Sequence, residues 1–286
     1  MNQNRRTFLK NSFALGAGSF IAPELIWSKS PNKTITVLHT NDFHSRLEAF
    51  PANHKTFAGK GGITQLKTVI DRETNSNSIL LDCGDVFQGT PYFNLFGGKV
   101  EYQWMNQAGY KATTLGNHEF DLGAEHLADV FNQNAQFDLL NCNYDVSQTP
   151  LRDIVKPYNT YQVGKCKVGV IGVGIDLSDL VAEPMRKGLL YKDPISIVNH
   201  HAHHLKHVEH CDFVVVISHL GYQYNSPKID DLKLAQTTQN IDLIMGGHTH
   251  TFLEKPTDTL NSVGKQVLVN QAHWAGLVVG KVQLEM

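Results

Sequence analysis

Only four cysteines, Cys83, Cys142, Cys166 and Cys211, occur in the 286 residues, and no two form a CxxC pair. That spacing excludes a zinc–thiolate knuckle and a disulfide framework as the organising device; buried free thiols are the expectation. Charge of one sign is equally scarce. Twenty-five basic residues against 27 acidic ones leave a net charge of −2, so there is no electrostatic footprint for a nucleic-acid polymer and no polyanionic tail. No apolar run reaches the about 20 residues that a bilayer span needs. Internal repeats, low-complexity segments and an interdomain linker are also missing.

What is present begins with an unusual N-terminus. Asn4–Lys10 read NRRTFLK and run into NSFALGAGSFIA, which is weakly apolar and short. A twin-arginine pair before such a run predicts an export signal, and the Phe8-Leu9-Lys10 that follows resembles the twin-arginine consensus. Residues 1–30 are therefore expected to be signal and short linker, and residues 31–286 the folded domain. The protein is expected in the periplasm, with membrane attachment only through an uncleaved signal. Export in the folded state also accommodates reduced cysteines and metal loaded before transport.

Past Lys33, apolar runs rich in β-branched residues alternate with helical patterns. KTITVLHT, SILLDCGD, KATTLGNHE, DLLNCN, FVVVISHL and IDLIMGGHTH read as strands; helices are predicted near 63–73, 100–108, 124–134 and 229–239. YNTYQVG and KCKVGVIGV read as a hairpin, and QVLVNQA and LVVGKVQLE close the chain. The alternation predicts an α/β fold, a layered sandwich of two mixed sheets flanked by helices.

The most conspicuous stretch, HHAHHLKHVEH at 200–210, holds six of the 15 histidines. At about 100° per residue, Ile195, Val198, Ala202 and Leu205 form an apolar stripe. His200, His203, His204, His207 and His210 fall on the opposite face, with His201 at the stripe's edge. An i, i+4 pair there would hold a stray ion, yet nothing closes the site. The helix is expected to lie outside the chemistry.

Five other places carry it. ITVLHT ends in Asn41-Asp42-Phe43-His44, ILLDC in Gly84-Asp85, ATTL in Gly116-Asn117-His118-Glu119, VVVIS in His219, and DLIM in Gly246-Gly247-His248-Thr249-His250. Open α/β sheets bind ligands outside the carboxyl ends of their strands. Five such ends bearing metal-type side chains are hard to explain as packing, because each would leave polar groups in need of partners. Asp42, His44, Asp85, Asn117, His219, His248 and His250 make seven mixed nitrogen and oxygen donors, more than one zinc takes. Two divalent ions sharing a carboxylate would use them all. Without a thiolate the set suits zinc, manganese or iron, and magnesium less well. Two such ions, two aspartates and a bridging hydroxide leave about +1 of charge, which favours a phosphoryl group.

TNDFH, GDVFQGTPYFN, GNHEFD, SHLG and GGHTH, in that order, resemble the calcineurin-like metallophosphoesterases, and most nearly the bacterial 5′-nucleotidase/UDP-sugar hydrolase family, over about Lys33 to Glu285. The resemblance implies a catalytic domain with Asp42, His44, Asp85 and His250 on one ion. Asp85, Asn117, His219 and His248 would hold the other, so that Asp85 bridges. His118 would face the substrate phosphate, oriented by Asp121. A metal-bridging hydroxide would attack phosphorus in line. The implied substrate is a nucleotide or other small phosphate ester. Cyclic-nucleotide or UDP-sugar diesterase and thiosulfohydrolase chemistry stand as alternatives. The family's second, C-terminal substrate domain is not expected within these residues, and a separately encoded one would be a partner. His39 and Cys83 are expected to pack, His54 and His126 to lie on loop and helix surface, and Glu119 to shape its loop. His273 and Trp274 are candidates for the rim.

Overall fold

Phe213–His219 reads FVVVISH and is buried at every position, which a strand achieves only when both its faces are covered. It belongs to a computed structural model that describes residues 33–286; the export signal expected over residues 1–30 lies outside them. In chain order the strands are β1 (Thr34–Thr40), β2 (Ser78–Asp82), β3 (Ala112–Thr114), β4 (Asp138–Leu140), β5 (Tyr144–Asp145), β6 (Val155–Lys156), β7 (Tyr158–Val163), β8 (Cys166–Gly174), β9 (Leu190–Tyr191), β10 (Phe213–His219), β11 (Leu243–Gly246), β12 (Thr257–Leu260), β13 (Gln266–Gln271) and β14 (Gly280–Glu285). The helices are α1 (Ile63–Glu73), α2 (Pro91–Phe96), α3 (Lys99–Ala108), α4 (Gly123–Asn134), α5 (Pro194–His207) and α6 (Asp231–Thr237).

Two six-stranded mixed sheets form, in the orders β14-β1-β2-β3-β4-β6 and β12-β13-β11-β10-β8-β7, with β5 and β9 paired apart. The expected hairpin is β7–β8. The final apolar run does not join the second sheet: β14 returns to pair antiparallel with β1, Val37 opposite Val282.

Side chains alternate across each strand, and here each face has a destination. Ile35, Val37, Ile79 and Leu81 of the first sheet meet Val168, Val170, Val215, Ile217 and Met245 of the second in one cluster. Leu38 and Leu80, on the opposite face, pack with Leu66, Ile70, Met105 and Leu127 of α1, α3 and α4. Val214 and Val216 pack with Val198, Ala202 and Leu205 of α5 and with Leu234 of α6. The result is four layers, helix–sheet–sheet–helix, as the alternation predicted. Among the described residues no helix is long and apolar enough to cross a membrane.

Local chemistry trims the predicted helices. α6 starts late because Asp230 caps it, its Oδ1 accepting from Lys233 N–H at 2.8 Å, and it stops where Thr238 turns extended. α2 escapes the periodicity: at six residues beginning with Pro91 it is too short for a stripe to repeat. The four cysteines are free thiols.

Asp231, the first residue of α6, is fully buried. Its Oδ1 accepts from Ser218 Oγ at 2.5 Å, and its Oδ2 has no hydrogen-bond partner. Burial pushes its pKa up to about 8. Between pH 4 and 8 the folded chain therefore keeps a proton that the unfolded chain has released, and stability from this group falls as pH rises. Asp231→Asn removes that slope. The stability of the variant relative to the parent, from urea unfolding, is expected to rise from pH 5 to pH 8 by up to about 1.4 kcal/mol per pH unit.

Candidate metal centre

Asp42 and His44 follow β1, Asp85 follows β2, Asn117 and His118 follow β3, His219 closes β10, and His248 and His250 follow β11. Parallel pairing of β1 with β2, β2 with β3, and β10 with β11 puts these carboxyl ends side by side. The first sheet supplies Asp42, His44, Asp85 and Asn117; the second supplies His219, His248 and His250.

Two clusters result. The donor atoms of Asp42, His44 and His250 lie within 4.8 Å of one another, and so do those of Asp85, His219 and His248. In the first, His250 Nε2 stands 3.1 Å from His44 Nε2 and 3.2 Å from Asp42 Oδ1. In the second, His219 Nε2 is 3.1 Å from Asp85 Oδ2, and His248 Nδ1 is 3.0 Å from Asn117 Oδ1. His44, Asp85 and His118 form a third group at the same spacing. Asp85 therefore reaches both sides.

The donors are prepared for a cation. His219 Nδ1–H donates to Cys83 O at 2.7 Å, which turns the buried Nε2 inward, toward Asp85 Oδ2. Burial alone would lower the His219 pKa, but the carboxylates of Asp85 and Asp42 raise it to about 10. Those carboxylates call for positive charge at this point, a proton or a metal ion. His248 is kept neutral, its pKa pushed down to about 4 by burial and by His219. Imidazole, carboxylate and amide donors without thiolate fit borderline divalent ions.

The backbone is bent to serve the cluster. Asp42, His44, Asp85, His248 and His250 all have φ between 51° and 70°, a left-handed conformation that side-chain-bearing residues rarely adopt. Such strain persists only where surrounding structure over-determines it, and it gathers at functional sites. Glycine is required at two neighbours. A Cβ on Gly116 would collide with the Asp85 carboxylate, and one on Gly247 would stand 2.8 Å from His219 Nδ1.

Residues 35–252 match the family model for calcineurin-like phosphoesterases. The chain belongs to that family. Snake venom 5′-nucleotidase of Naja atra is 32% identical over 267 residues, covering 86% of this chain and 49% of its own length. The solved 5′-nucleotidase precursor of Thermus thermophilus is similar at 34% identity and a TM-score of 0.79, over 88% of this chain and 51% of that one. Haemophilus influenzae NAD nucleotidase has 27% identity and a TM-score of 0.76, over 88% and 47%. The chain spans about half the length of these relatives. By family it is a metal-dependent phosphoric ester hydrolase.

In this phosphoesterase His118 stands beside the donors, its backbone N–H donating to Asp85 Oδ1 at 2.9 Å and its Nδ1 paired with Asp121 Oδ2 at 2.9 Å. Burial works against the imidazolium, but Asp121 and Asp85 outweigh it and the His118 pKa is raised. Glu119 braces the loops: its carboxylate accepts from the N–H groups of Asp85 (2.9 Å), Val86 (2.7 Å) and Gly116 (2.6 Å). Two supports carry no sequence signal of their own. Asn41 Oδ1 accepts from Ala272 N at 2.8 Å, and Gln271 Nε2 donates to Gly247 O at 2.5 Å. His39 is a core residue: fully buried, it meets Asn270 Nδ2 at 2.9 Å, and burial takes its pKa down to about 3.

The histidines of α5 are elsewhere. Val198, Ala202 and Leu205 anchor the helix on the outer face of the second sheet, and the His203 and His207 rings lie 4.5 Å apart on its outside. His203→Ala with His207→Ala is expected to leave the turnover of a phosphate ester within about twofold, as surface changes away from a site usually do; initial rates check this.

Proposed function

We propose that residues 31–286 are the catalytic unit of an exported 5′-nucleotidase-type phosphomonoesterase that works with two divalent ions, zinc, manganese or iron. The observation that carries this reading is Asp85, placed between two donor clusters that each draw on both sheets. Asp42, His44, Asp85 and His250 would hold one ion, and Asp85, Asn117, His219 and His248 the other. When bound, such a pair supplies a low-pKa water and clamps the oxygens of an in-line displacement. The chain does the rest. His118, held by Asp121, presents a positive imidazole to the phosphoryl oxygens and can give its proton to the leaving oxygen. Glu119 fixes the backbone on which Asp85 and Asn117 stand. The 5′-nucleotidase relatives favour a nucleoside monophosphate as substrate.

Phosphate release from AMP, p-nitrophenyl phosphate and bis(p-nitrophenyl) phosphate by the manganese-loaded chain tests the reading. Turnover of the monoesters well above the diester supports it; turnover of the diester alone overturns it. Export is tested separately. Replacing Arg5 and Arg6 by lysine is expected to leave the protein in the cytoplasm, as fractionation would reveal.

A further inference from the structure

α5 carries five histidines, and the structure puts them to different uses. His201 packs on the Tyr158 ring with centroids 5.2 Å apart. His204 lies 5.8 Å from the same ring, and its Nε2 stands 3.7 Å from Glu209 Oε1. Glu209 is in turn held by Lys167 at 2.7 Å. These two rings have a packing role. His203 and His207 do not share it. Both are exposed, and among the described residues no hydrogen bond or ion pair engages either ring. Each has the other as its ring neighbour, with centroids 4.5 Å apart and planes at 43°.

The turn that presents the pair is fixed from three sides. Val198, Ala202 and Leu205 are fully buried beneath it. Asp193 Oδ1 caps the start of the helix, accepting from Ile195 N–H at 3.2 Å. Past its end, the N–H groups of Val208 and Glu209 donate to His204 O at 2.8 and 3.0 Å, and that of Cys211 to Leu205 O at 2.9 Å. Lys206, the cation between the two rings in sequence, is drawn off to Asp212 O at 2.6 Å and Asp242 Oδ2 at 3.4 Å. Helix stability does not call for histidine here, since lysine or glutamate would serve an exposed face better.

We propose that His203 and His207 form a second metal site, open to solvent, which takes a borderline divalent cation (zinc, nickel or copper) independently of the centre between the sheets. Residues four apart on a helix are neighbours, and this is the spacing at which a helix offers two imidazoles to one zinc ion. With bonds of about 2.0–2.1 Å to nitrogen, two imidazoles on one ion place their centroids roughly 4.5–5.5 Å apart, a separation the free rings already hold. The pair also sits on the last turn of α5, where the negative end of the helix dipole favours a cation. Two nitrogen donors select against calcium and magnesium, which require oxygen, and rank copper tightest. Water would complete the coordination, which makes this a site of capture and exchange rather than a structural clamp.

Two measurements on the untagged chain test this. Nickel immobilised on a column reaches only surface imidazoles, so the parent should be retained, and His203→Ala with His207→Ala should elute at a several-fold lower imidazole concentration. Asp85→Asn, which disturbs the centre and leaves α5 alone, should elute with the parent. Equilibrium dialysis against zinc should then count one ion fewer per chain in the double variant than in the parent. Alanine is the better helix former, so binding lost in that variant is not helix lost. A parent that passes unretained overturns the proposal, as does an elution point that the double substitution leaves unmoved or that Asp85→Asn lowers. An unchanged zinc count overturns it whatever the column shows.

Discussion

Asp85→Asn is expected to lower phosphate release by about 10³-fold or more, the loss of several kcal/mol of transition-state stabilisation that shared Lewis acids supply, and to lower the metal bound per chain at the same time. One oxygen of Asp85 lies 3.1 Å from His219 Nε2, and the other accepts the His118 backbone N–H. Asp85 also stands within 4.8 Å of the donors of His44 and of His248. The amide has the carboxylate's size without its charge, and its NH₂ must face either an imidazole nitrogen or a backbone N–H. Metal analysis beside initial rates on the purified variant checks both effects. Full turnover with full metal would show that the two clusters do not share this residue.

His118→Asn makes the contrast. Turnover should fall by roughly 10²- to 10⁴-fold, the range of a positioned acid–base group, while bound metal stays at the parent level. The side chain engages Asp121, and its ring meets His44 only edge-on, with centroids 5.2 Å apart. Because His118 also lies within ligand distance of His44 and Asp85, the metal measurement decides its role. Loss of an ion in this variant would make His118 a ligand.

The strand ends were legible because their punctuation departs from what a buried strand needs: ITVLHT, ILLDC and VVVIS are mostly apolar runs that give way to Asn-Asp, Gly-Asp and His, and glycine adjoins the donors at three of the five ends. The helix faces followed from periodicity, and the stripe Val198–Ala202–Leu205 is buried as the wheel required. Which sheet each donor comes from was not legible, because contact between β2 and β10 ends is tertiary and leaves no periodic trace. Nor was the left-handed backbone at five donors, since propensity assigns those angles to glycine. Trp274 was a rim candidate in the sequence, but its stacking on His250 was not legible there. The return of β14 to β1 depends on pairing between the two ends of the described chain, a register that runs from Thr34 opposite Glu285 to His39 opposite Gly280.

The division of the seven donors between two sheets makes the centre a clasp across the open end of the sandwich. Ions held as proposed would bind only while that end is shut, and each binding event would add its free energy to the shut state. Damage to the inter-sheet core, at Met245 for instance, would then surface first as looser metal rather than slower chemistry. An assay run in excess metal would hide the defect, and one run near metal scarcity would expose it.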